Sequence, residues 1–189
     1  MSTRTPSNSA DRATGAVRAL VALLVALVLG LPGWAAATST KDLQVGVRGV
    51  DFLADPPRGK VPVAVVYDAA SKASQQDAQA ISSWLTASAR GTKAELVPIL
   101  LEVQDLDRAP AYRVAIIANG LEASFSRILD FARRNVTLTI TADLACVRSG
   151  ACVLGIATEP AVEVIVSRQA STICGVEFQR AFRMMVKEY

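Results

Sequence analysis

The 189-residue sequence contains no histidine. Without an imidazole, general-base catalysis by His, the Ser-His and Cys-His nucleophile pairs and His-bearing metal sites are all excluded. That removes most secreted hydrolases. Cysteine is scarce: Cys146, Cys152 and Cys174 fit neither a zinc ribbon nor a C-x-x-C redox pair. No glycine-rich phosphate cradle is present either. The stretch Asp68-Ala-Ala-Ser-Lys-Ala-Ser74, which precedes a helical pattern, has none of the required glycines. Paired acids occur at Asp51 and Asp55 and at Asp105 and Asp107, but in turns without the pattern of a calcium loop, so they read as solvated loop acids. Ser71-Lys72 lacks the spaced partners of a Ser-Lys dyad. The inventory points away from an enzyme, and neither a cofactor nor a metal is expected.

Charge is nearly balanced once the N-terminus is set aside. Met1 to Arg18 carries Arg4, Arg12 and Arg18, and Ala19 to Leu31 is an uninterrupted apolar run. The run is short for a bilayer span. Pro32-Gly33 ends it, and Ala35-Ala-Ala37 has the small-residue spacing that a signal peptidase reads. Residues 1–37 therefore read as a secretory leader cut after Ala37, which implies a periplasmic protein with one domain over 38–189. The leader holds three of the 20 Lys+Arg and one of the 17 Asp+Glu, leaving 17 basic and 16 acidic residues. A nearly neutral domain is no nucleic-acid binder by charge.

Along the domain, strands and helices alternate. Thr38 to Gln44 reads as a loose start, Val45 to Leu53 as a first strand and Asp55-Pro-Pro-Arg-Gly59 as the turn ending it. Val61 to Tyr67, almost continuously apolar, suits a strand covered on both faces. Ser74 and Asp77 have capping-box spacing before the stripe Ala78, Ile81, Leu85 and Ala89, with Gly91 as the stop. Leu96 to Val103 is a strand that Pro98 assigns to an edge or a bulge, and Tyr112 to Ala118 another strand. Phe125, Ile128, Leu129 and Ala132 recur at helical spacing, with Arg133-Arg134 as a solvated helix end. Val162 to Val166 is the last strand. The tail has helical spacing at Phe178, Phe182 and Met185, with Gly175 dividing two helices and Met184-Met185 as core filling. The order defines an α/β domain, a mixed sheet with flanking helices.

The most specific stretch is Thr137 to Ile156. Thr137 to Thr141 alternates in the strand period, Val153 to Ile156 is a second apolar run, and a polar loop with Gly150 lies between. If the two runs pair as a hairpin, Cys146 and Cys152 come within disulfide reach, and the bond closes a late hairpin. In an exported protein that bond is structural rather than a redox switch. Cys174 is left over, buried and inert. The loop residues Arg148, Ser149 and Gly150 are the candidate partner-binding site, because binding residues concentrate on exposed loops of rigid scaffolds.

The run from Thr139 to the C-terminus, with Asp143, Gly150, Cys152-Val-Leu-Gly-Ile156, Val162-Glu-Val-Ile-Val166, Ala170 and Gly175, resembles the C-terminal part of the YfiR-like family. These are exported bacterial periplasmic proteins with a compact α/β fold. The resemblance implies that Cys146 and Cys152 match the family's late disulfide. It further implies repression of a membrane-bound diguanylate cyclase by protein contact, a role in cyclic diguanylate signalling and biofilm control. A membrane-bound signalling protein is thus the expected partner, with a homodimer possible. A rival expectation is a periplasmic solute-binding component of a transporter that takes a small ligand, since Val61 to Asp68 with Ser74 and a helix is similar to the opening of such domains.

Overall fold

In the computed structural model, the described residues are 37–88 and 93–189. The leader reading falls outside them except for Ala37, as do Ala89 and the stop at Gly91. A seven-stranded mixed sheet of order β2-β1-β3-β4-β5-β6-β7 forms the centre. Its strands are β1 (Gly59–Tyr67), β2 (Ala94–Glu102), β3 (Val114–Ile117), β4 (Leu138–Thr141), β5 (Leu154–Ala157), β6 (Glu163–Val166) and β7 (Lys187–Glu188). The first five run parallel; β6 returns antiparallel to β5, and β7 lies parallel to β6.

Parallel strands bury both faces, and β1 shows why its sequence is continuously apolar. Val63 and Val65 join one core layer and Ala64 and Val66 the other. The first layer is roofed by α1 (Thr40–Arg48) and α2 (Lys72–Ser88), through Leu43, Val47, Ala78, Ile81 and Leu85. Opposite lie α3 (Phe125–Asn135) and α4 (Leu144–Arg148), contributing Ile128, Phe131, Cys146 and Val147. Each fully buried Val, Leu or Ile in these layers is worth about 1.5–3 kcal/mol. β4 is buried on both sides despite its threonines. The Thr139 hydroxyl accepts from Val153 N–H at 2.8 Å, and the Thr137 hydroxyl donates to Tyr112 O at 2.7 Å.

The expected edge at Pro98 is found, since β2 is a terminal strand of the sheet. Several other expectations are corrected. The segment read as a loose start and a first strand is α1 followed by a 3-10 turn over Gly49–Phe52. Ser39 and Asp42 form its capping box, and Leu43, Val47 and Val50 bury its inner face. The glycines that break the helical pattern are there for close approach. A Cβ on Gly49 would stand 2.5 Å from Leu154 Cδ2, and one on Gly46 would stand 3.0 Å from both Ile140 Cγ2 and Ile156 Cδ1.

The Thr137–Ile156 hairpin is also corrected: β4 and β5 are parallel, which demands a crossover, and the single-turn helix α4 supplies it. The antiparallel hairpin is β5–β6, turning through a cis Glu159-Pro160 bond. Ser74 is not a cap. Ser71 holds that position, accepting from Ser74 N–H at 3.3 Å, while Asp77 points elsewhere.

The tail divides at Gly175, which ends α5 (Arg168–Cys174) in the left-handed region at φ +65°. α5 packs beside α3. Beyond it, Phe178 bridges to Leu53 and a stack of Phe52, Phe182 and Phe178, with centroids 4.8 and 5.0 Å apart, pins α6 (Arg180–Arg183). Met184 and Met185 are not core filling: α6 stops before them, and they are 80% and 69% exposed.

Helix α4 sits tightly on β5. A Cβ at Gly155 would stand 2.7 Å from Val147 Cγ2 and 2.9 Å from Leu144 Cδ2. Gly155→Ala is therefore expected to destabilise by about 1–3 kcal/mol, read as a lower urea midpoint at unchanged slope.

Candidate functional site

The order 2-1-3-4-5 of the parallel strands reverses between β1 and β3. Helix α2 leaves β1 on one face and α3 leaves β3 on the other, so a crevice is expected beyond the carboxyl ends of these two strands. Its walls are Asp68 to Ser74 after β1, and Asn119 and Gly120 after β3. Gly120, at φ +81°, lets the turn pass Ser71 and Ser74 within about 4 Å of where its Cβ would be. Asp68 Oδ1 accepts from Ala70 N–H at 2.8 Å, and Ser74 Oγ accepts from Asp68 N–H at 3.2 Å, so the loop holds its own shape.

At the base of the crevice lies Asp77, 4% exposed. Its Oδ1 accepts from Thr38 N–H at 2.8 Å. Its Oδ2 accepts from the Thr38 hydroxyl at 2.9 Å and from the backbone and side-chain nitrogens of Asn119 at 2.9 and 3.1 Å. Asn119 Nδ2 also donates to Thr38 Oγ1 at 2.9 Å. Thr38 thus occupies the switch point. Asp42 secures the next turn, accepting from Ser39 and from the Thr158 hydroxyl at 2.7 Å. Burial works against its charged form, but these hydrogen bonds outweigh it and hold the carboxyl below its ordinary value. Two cavities nearby, lined by described residues, measure about 10 Å³ beside α1 and about 60 Å³ beside Tyr67. Small-molecule pockets ordinarily measure about 300–1,000 Å³.

The opposite end of the sheet is open. A cleft of about 500 Å³ lies among Val166, Arg168, Ser171, Phe178, Arg183 and Glu188. A second, of about 520 Å³, passes Arg113, Val136 and Leu138 and shares Gly175, Val176 and Glu177 with the first. Ser171 Oγ, on the first cleft, is buried with no hydrogen-bond partner. Glu188 joins Arg183 at 2.6 Å and Arg168 at 3.9 Å. The hydrogen bond from Arg183 holds the Glu188 carboxyl below its ordinary value.

The expected loop is placed beside this cleft. Arg148 and Ser149 are exposed, whereas Gly150 is buried at φ +78°, where a Cβ would stand 2.9 Å from the Gln169 amide. Gln169 follows Arg168 on α5, so the loop and the cleft wall meet. The disulfide fixes that loop. Cys146 and Cys152 are bonded, with Cα atoms 5.3 Å apart, but across the end of α4 rather than across a hairpin. Both cysteines are fully buried. Cys174 is a free, buried thiol whose pKa burial pushes up to about 11, against the charge of Arg133, so it is unreactive at neutral pH.

Sequence reasoning missed Asp77, Asn119 and the tail cleft. Asn119 lies just past the strand read over Tyr112 to Ala118, and Asp77 read only as half of a cap. A polar residue on the inward side of α2, one position before Ala78, was the available signal.

The chain matches no protein-family model and no curated protein sequence. Its fold is similar to solved structures. A conserved domain protein from Vibrio cholerae O1 biovar El Tor superposes with TM-score 0.55 at 14% identity, over 81% of this chain and 61% of that one. An ABC domain in complex with L-Trp from Streptococcus pneumonia superposes with TM-score 0.53 at 9% identity, over 78% and 60%. The chain therefore spans about three-fifths of their length.

Two outcomes are expected. Replacing Cys146 and Cys152 together by Ala should cost at least about 2 kcal/mol in the chain-entropy account of a short loop, read by urea unfolding without reductant. Asp42→Asn should cost about 1 kcal/mol at neutral pH, because an amide offers one acceptor oxygen where the carboxylate accepts from Ser39 and Thr158 on two. Because the folded pKa of Asp42 lies below its unfolded value, that contribution is present above the unfolded value of about 3.9 and is lost as pH falls through the folded one. Wild type and variant should therefore converge in acid, measured by unfolding between pH 7 and pH 2.

Proposed function

We propose that this chain is an exported recognition module of the periplasm that acts by contact with a membrane-bound signalling protein and carries no catalytic machinery of its own. The observation that carries this reading is the tail cleft, where the charged groups Arg168, Arg183 and Glu188 line an open surface, with an unpartnered Ser171 hydroxyl buried beneath it and Arg148, at the end of α4, beside it. Exposed Met184 and Met185 extend it with adaptable apolar side chains suited to a protein partner. Export is supported by the leader pattern and by a buried disulfide, the kind of bond that persists in oxidising compartments. Resemblance to the YfiR-like family nominates a diguanylate cyclase as partner and repression as the consequence.

Small-solute binding is the second reading. It is favoured by the switch-point strand order and by the fold similarity to a domain solved with L-Trp. Against it stand the filling of that crevice by Thr38 and a chain spanning three-fifths of that structure.

Tagged protein comprising residues 38–189, incubated with native membranes, should capture a membrane signalling protein. Met184→Glu with Met185→Glu should lower recovery at least tenfold at unchanged melting temperature, because both side chains are exposed. Capture of a transporter permease, or saturable L-Trp binding by calorimetry without protein capture, would replace the first reading by the second.

A further inference from the structure

Asp77 is a buried carboxylate with no ion pair among the described residues. Burying an unpaired carboxylate is costly, and hydrogen bonds from neutral donors offset only part of that cost. Its closest donor, at 2.8 Å, is the backbone nitrogen of Thr38. That nitrogen belongs to the first residue after Ala35-Ala-Ala37, where the leader pattern places the cut. We infer that removal of the leader converts this contact into a buried ion pair between the new α-ammonium of Thr38 and Asp77, so that processing itself locks the switch point.

The chemistry balances with water as co-reactant. Hydrolysis of the Ala37–Thr38 peptide bond leaves Ala37 with a carboxylate and Thr38 with an amine. The amine takes up a proton at neutral pH, since an α-amino group titrates at about 8. The nitrogen need not move. It exchanges one neutral N–H for a charged group with three donors, and charge-assisted bonds are about twice as strong as neutral ones. The Thr38 hydroxyl and Asn119 already satisfy the other carboxylate oxygen, so the carboxylate enters the pair with its own hydrogen bonds made, a condition that favours a buried ion pair. Before processing, the same site holds the carboxylate with neutral donors alone. The unprocessed chain is then the less stable form, which suits a chain that crosses a membrane unfolded.

The inference rests on the export reading, and two readouts separate them. N-terminal sequencing of the exported protein reads the processing: Thr38 as first residue is expected, and another start overturns the cut. Urea unfolding reads the pairing, on protein made to begin at Thr38 and on protein with a Gly-Ser extension ahead of Thr38. The extension should lower the folding equilibrium constant five- to tenfold, and Nα-acetylation of Thr38 should do the same without added residues. In Asp77→Asn, the difference between free and acetylated N-termini should fall below twofold. Equal stability of the free, extended and acetylated forms would overturn the ion pair, whether or not Asp77→Asn folds.

Discussion

The carboxylate of Asp77 joins three parts of the chain at one point. It receives the N-terminal segment through Thr38, sits on α2, and holds the end of β3 through Asn119. With only 4% of the residue exposed, the carboxylate relies on these donors, so each donor's position is constrained by the others. The consequence is geometric. Among the described residues, the crevice that a doubly wound sheet opens at its switch point is occupied by Thr38, and two cavities beside it measure only about 10 and 60 Å³.

With that end sealed, the surface that remains open lies at the other end of the sheet and along the tail. The same structural logic produces it. Parallel strands need crossovers, α4 provides the shortest one, and the buried Cys146–Cys152 bond holds the turn after α4 against the start of α5. Arg148 and Ser149 are thereby presented on a cross-linked base beside the Arg168 wall of the cleft. The aromatic stack of Phe52, Phe178 and Phe182 anchors α6, and Met184 and Met185 follow its end, exposed.

Much of the sheet was legible because burial on both faces leaves an unmistakable apolar run, as in Val61 to Tyr67. The bond between Cys146 and Cys152 was legible too, though for an incorrect reason: close spacing allows a disulfide across a helix end as readily as across a hairpin. Helix α1 was obscured because Gly46 and Gly49, which interrupt its pattern, answer to Leu154, Ile140 and Ile156, and these lie far away in sequence. The Met184-Met185 pair misled for a similar reason: apolarity marks a core or an interface alike, and only the end of α6 at Arg183 decides between them. The Asp77 node was not legible because its partners, Thr38 and Asn119, are 39 and 42 residues away and carry no motif.

If the chain acts as proposed, its partner meets the tail surface and not the crevice that Thr38 occupies. Site-specific photocrosslinking in the native cell separates the two surfaces, with a photoreactive residue placed at exposed Met185 in one strain and at exposed Ala70, on the crevice rim, in another. The account predicts crosslinks to a membrane protein from position 185 and none from position 70. Crosslinks from position 70 alone would contradict it.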